Sequence, residues 1–147
     1  MKGRLREDKA NILEPESAGL ALILNVCDVN LDSFKDENKL LQMLAKRWGT
    51  VRTDVKMWAT DPSKYKLGNI TSTLCQSTVW VVSLLCLKNK EVDKKALNDC
   101  FKKLADFAKY EGGSIHISKN FLELVPESKE LLNVLLDAGL NVVTYKN

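Results

Sequence analysis

Apolar positions in this chain come in short blocks whose spacing alternates between continuous runs and a helical period. Residues 20–27, LALILNVC, form a compact apolar run after Gly19 and predict a buried strand, with a turn over 28–32. A helix is expected over about 33–48. Ser33 and Asp36 have the form of a capping box, and Leu40, Leu41, Leu44 and Trp48 recur at helical spacing. Gly49 stands where a left-handed cap residue is expected. The stretch 50–66 is less regular. Val51, Val55 and Met57 admit a short strand, and Asp61-Pro62-Ser63 signals a turn.

Residues 68–87 read as a hairpin. Ile70, Ser72 and Leu74 alternate with Thr71, Thr73 and Cys75, Gln76-Ser77 turns, and the return run is β-branched and aromatic. A helix is expected from Asp93 to about Tyr110, with Leu97, Phe101, Leu104 and Ala108 as its apolar stripe and Gly112-Gly113 as its stop. Residues 114–118, SIHIS, predict a short strand, and 119–126 a loop ending in Pro126 at a first helical position. The last helix, 127–138, is expected to pack through Leu131, Leu132, Val134, Leu135 and Leu136. Gly139 ends it, and 140–145 form the final strand. This order implies an α/β domain with parallel strands and right-handed crossovers, whose ligand end lies outside the strands' carboxyl termini. The connections at that end, 28–38 and 119–126, contain no glycine.

Length and charge narrow the picture only slightly. The chain has 147 residues, 45% of them hydrophobic and 28% charged, with a net charge of +3. One soluble domain is expected, and the mixed charge does not point to nucleic acid. The lysine-rich span 88–103 also carries Glu91, Asp93 and Asp99 and reads as a solvated helix face. Cys27, Cys75, Cys86 and Cys100 show no CxxC spacing and read as buried thiols of a reducing compartment. With His116 set between Ile115 and Ile117, neither a metal site nor a serine, histidine and acid set is expected. MKGRLREDK lacks the apolar core of a signal peptide, and the longest apolar run falls well short of the ~20 residues that span a bilayer. The expected location is the cytoplasm or nucleus, without membrane association. Trp48 reads as core or rim and Trp80 as core, while Trp58 beside Tyr65 reads either as cover for a sheet edge or as a stacking or partner surface.

Three passages resemble a macro domain, the α/β module that binds ADP-ribose, and are most similar to the small subgroup that removes ADP-ribose from acidic side chains. In the first, LILNVC runs into DVNLD and a helix ending KRWG, Lys46 to Gly49. The second is the hairpin LGNITSTLCQSTVWVVSLL. The third is SIHISKNFLELVPESKELLNVLL, followed by VVTY. The resemblance implies a three-layer α/β/α fold with a mixed sheet over 18–147, preceded by a polar segment 1–17. It also implies ADP-ribose or an ADP-ribosylated protein as ligand, with no resident cofactor. By resemblance, the ligand-binding positions are Asn25, Asp28, Asn30, Lys119, Asn120, Phe121, Leu122 and Tyr145, with Phe121 and Tyr145 as the aromatic candidates for stacking. The catalytic lysine and acid of the subgroup map near Lys88 and Glu123, each out of register.

The departures from the family pattern set the functional expectation. Lys35, Asp36, Glu37 and Asn38 stand where glycines precede the first helix. Asn120, Phe121 and Leu122 stand where a Gly-x-Gly core wraps the diphosphate. The expected function is a diverged, non-catalytic macro-like domain with weak or absent ADP-ribose or nucleotide binding. The alternatives are a protein-interaction module on the same scaffold and an ADP-ribosyl-ester hydrolase.

Overall fold

The computed structural model describes residues 2–8, 11–15, 19–32 and 38–146. The sheet is built from β1 (Leu5–Asp8), β2 (Ala21–Asp28), β3 (Ile70–Gln76), β4 (Val79–Lys88), β5 (Glu91–Val92), β6 (Ser114–Ile117) and β7 (Val142–Tyr145). Its order is β1-β7-β6-β2-β4-β3, with β5 also paired to β4. Neighbours from β1 through β4 are parallel, and β3 and β5 run antiparallel to β4, so the sheet is mixed.

The helices are α1 (Lys39–Arg47), α2 (Gly49–Ala59), α3 (Lys94–Glu111), α4 (Lys119–Leu124) and α5 (Ser128–Asp137). The chain crosses from β2 to β4 through α1 and α2 and back from β4 to β6 through α3, and because such crossovers are right-handed as a rule the two sets of helices fall on opposite faces of the sheet, with α5 packed against α3. Helix α4 lies near the strands' carboxyl ends, touching β2 and α1. The core fills both interfaces. The run 22–27 of β2 is wholly buried, as are Leu97, Phe101 and Leu104 of α3.

Local signals set most boundaries. Asp93 caps α3 by accepting the Ala96 N–H, and Gly112, at φ 72°, ends it in the left-handed conformation. Helix α1 begins at Lys39 with Asn38 as its cap, accepting the Leu41 N–H. The capping box expected of Ser33 and Asp36 lies outside the described residues.

The stretch read as a possible strand around Val51 is instead helix α2. Val51, Val55 and Trp58 are buried while Met57 is exposed, so helical spacing outweighs the β-branched residues. Gly49 is the first residue of that helix, not a left-handed cap. The single residue Trp48 ends α1 and caps α2, its N–H bonded to Leu44 O and its carbonyl accepting from Val51 N–H. On α5, Leu132 and Leu135 are buried but Val134 is exposed, and Pro126 lies in the turn before the helix. The expected loop 119–126 holds helix α4. Strand β1 arises within the polar N-terminal segment and pairs with β7. Among the described residues, no helix is long and apolar enough to cross a membrane.

Candidate ligand site at the carboxyl ends of the strands

Strands β2, β4, β6 and β7 end on the same side of the sheet, so Asp28, Lys88, the start of α4 and Tyr145 lie along that one edge. Asp28 stands at the centre of this region. A register shift between Cys27 and Asp28 pairs Asp28 with Leu87, and such a bulge re-aims the side chain at the strand end. Asp28 Oδ1 accepts the N–H groups of Asn30 at 2.9 Å, Leu31 at 3.2 Å and Asn89 at 3.1 Å, and Oδ2 accepts that of Lys90 at 2.6 Å. The Tyr65 hydroxyl donates to the Asp28 carbonyl at 2.8 Å. Trp58 packs edge-on against Tyr65 at 4.9 Å and donates its indole N–H to Lys64 O, so this aromatic pair braces the site from behind.

The third strand end is occupied by α4. Ser118 caps it, its hydroxyl accepting the Phe121 N–H at 3.0 Å and its carbonyl the Leu122 N–H at 3.3 Å. Phe121 is fully buried, so its ring is part of the core and leaves no face for a base. Lys119 and Glu123 pair across one helical turn at 3.8 Å, both well exposed. Asn120 and Leu122 are half-buried. Ser118 is the sequence signal for this helix, a capping residue immediately before KNFLEL.

The other named residues are dispersed. Asn25 lies mid-strand and fully buried, its amide donating to Ser83 Oγ at 3.0 Å while its Oδ1 has no partner among the described residues. Asn30 is exposed, its amide 3.4 Å from Asn89 Oδ1. Lys88 is exposed at the end of β4, and β2 separates that strand from β6 and hence from Glu123.

Tyr145 is buried, 3% exposed, with its hydroxyl 2.6 Å from His116 Nδ1. His116 Nε2 in turn lies 2.8 Å from Ser114 Oγ, which donates to Leu20 O at 3.3 Å. The Leu20 carbonyl can only accept, so when Ser114 donates to it, Nε2–H donates to Ser114 and the Tyr145 hydroxyl to Nδ1. In that tautomer the histidine does not act as a base on the serine. Sequence spacing alone did not suggest this hydroxyl–imidazole chain, since Tyr145 comes from the neighbouring strand. Burial pushes the thiol of Cys75 up to about 11 and that of Cys100 to about 12, with Cys86 higher still, so these thiols are poor nucleophiles. Among the described residues, no histidine, cysteine and carboxylate group has the composition of a metal centre.

A cavity of about 1030 Å³ lies at the opposite, amino ends of β6, β7 and β1, with Arg4, Arg6, Lys109, Gly113 and Ser114 in its walls. It is open and far from Asp28 and α4, so size alone does not make it the site of the strand-end chemistry.

No protein-family model matches the chain, and no curated protein matches it by sequence. Solved structures do match. A macrodomain protein from Streptomyces coelicolor superimposes with a TM-score of 0.77 at 19% identity, covering 98% of this chain and 99% of that one. The macrodomain of Mycobacterium tuberculosis DarG gives 0.71 at 11% identity, covering 99% of both chains. Thermosipho africanus DarTG in complex with ADP-ribose gives 0.68 at 9% identity, covering 97% of this chain and 41% of that one. The chain has the three-layer macro-domain fold.

Proposed function

We propose that this chain is a diverged macro-fold domain that binds ADP-ribose weakly or not at all and lacks efficient hydrolase activity. The ADP-ribose complex of the Thermosipho neighbour supports ADP-ribose, free or on a protein, as the ligand class to test. The observation that carries the divergence is α4. Where the family pattern calls for a glycine turn with free backbone donors, the N–H groups of Phe121 and Leu122 are spent on Ser118. Each backbone bond to a charged phosphate that is not made forfeits about 1.5–3 kcal/mol.

A second reading, a protein-interaction module, is favoured by β3. This edge strand, ITSTLCQ, carries neither charge nor proline, and Leu74 upon it is 53% exposed. Unblocked edges of this kind accept a strand from a partner. Titration calorimetry with ADP-ribose and AMP tests the first reading. The expected ADP-ribose dissociation constant is weaker than about 10 μM, or roughly −6.8 kcal/mol. Submicromolar affinity would overturn it.

A further inference from the structure

Two turns converge on the Asp28 carboxylate. One follows β2 and supplies the N–H groups of Asn30 and Leu31; the other joins β4 to β5 and supplies those of Asn89 and Lys90. In the second turn both central residues have positive φ, 52° at Asn89 and 69° at Lys90. Successive backbone N–H groups in a turn form a concavity that holds an anion. Asp28 is only 5% exposed, while Asn30, Asn89 and Lys90 around it are open to solvent. The Asn89 and Lys90 bonds join residues 61 and 62 positions apart, so this is more than a local turn around an aspartate. The carboxylate thus sits in a basin of donors gathered from two strand ends.

We propose that Asp28 is the resident anion of a backbone oxyanion site, and that it keeps phosphate-type oxyanions out of this corner of the strand-end region. The donors are main-chain groups of the bend after β2 and of the turn that closes β4 onto β5, so shortening the side chain removes the acceptor and no donor. A tetrahedral phosphate presents the same kind of acceptor, a negatively charged oxygen, to the same N–H groups. The inference concerns an anion class, and it stands whether or not the wild-type chain binds ADP-ribose.

The experiment compares the wild type, Asp28→Ala and Asp28→Asn, titrated with inorganic phosphate against chloride at matched ionic strength. It follows amide resonances and thermal denaturation together. Asp28→Ala, which vacates the basin, should bind phosphate at least tenfold more tightly than the wild type, and Asp28→Asn, whose amide oxygen still accepts from these N–H groups, should gain less. Their shifts should centre on Asn30, Leu31, Asn89 and Lys90, and their midpoints should rise with phosphate but not with chloride. If Asp28→Ala folds poorly, phosphate-specific recovery of its folding becomes the readout, and Asp28→Asn isolates the loss of charge at constant side-chain volume. Phosphate binding by the wild type at these amides would overturn the proposal. So would variants whose response to phosphate equals the wild type's, or shifts clustered elsewhere.

Discussion

The Tyr145 hydroxyl lies 2.6 Å from Nδ1 of His116, joining two neighbouring strands through a fully buried imidazole. Burial, reinforced by Arg6 and opposed by Asp8, lowers the pKa of His116 to about 4. With Tyr145 and Ser114 on its two nitrogens, the ring is neutral in the native state near neutrality.

A pH dependence follows from this arrangement. The unfolded chain takes up a proton near the ordinary value of 6.5, but the native chain only near 4. The neutral ring's contribution is therefore complete above the unfolded value and is lost as pH falls through this window. Each tenfold difference in proton affinity between the two states is worth roughly 1.4 kcal/mol, so the loss is of the order of 3 kcal/mol. Urea denaturation should show the wild type losing more stability than His116→Gln between about pH 7 and about pH 4.5. Equal losses would show that another group carries the linkage.

Lys90→Gly should stabilise the native fold by about 0.5–1 kcal/mol. An L-residue in the left-handed region costs about 1–2 kcal/mol, and part of the relief is offset by the greater freedom of glycine in the unfolded chain. Both Asn89 and Lys90 hold positive φ, as a two-residue primed turn requires, and Asn-Gly is the favoured pair there. Chemical denaturation checks the sign. A destabilised variant would mean that the lysine side chain contributes more than the backbone strain costs.

Release of ADP-ribose from modified glutamate should be slow or undetectable, and Lys88→Ala and Glu123→Ala should not change it. A nucleophilic lysine needs a lowered pKa and a fixed position. Lys88 is exposed, and Glu123 faces Lys119 across a helical turn. The assay is demodification of an ADP-ribosylated protein. Robust turnover abolished in both variants would restore the hydrolase reading, and robust turnover unaffected by either would place the chemistry on other residues.

Much of the architecture was legible because single residues announced it. Asp93 and Gly112 bracket α3 by capping chemistry, and the alternation of 70–75 against the apolar run of β4 forced a hairpin. Helix α2 was obscured because Val51 and Val55 are β-branched. The informative signal was their spacing with Trp58. Strand β1 was illegible because LRED alternates nothing: it is an edge strand held by backbone pairing to β7 and exposed along most of its length. At the site, Asp28 and Asn30 were picked out, but not that the Asp28 carboxylate gathers main-chain donors. That depends on a bulge and on two left-handed residues 61 and 62 positions away, and neither Asn nor Lys spells a left-handed turn on its own.

The pairing of β1 with β7 sets Leu5 beside Val142 and Asp8 beside Tyr145. Nearly the whole described chain lies between these partners, so the sheet's first strand in sequence is among the last that can dock. Closing so large a loop costs least once the intervening strands have brought the ends together, so β1 is expected to dock late in folding. During synthesis, residues 5–8 emerge long before their partner exists, and the β7 edge stays open until they return. The sheet is thus completed by its own beginning, and its closure reports that the stretch from β1 to β7 has been made and folded.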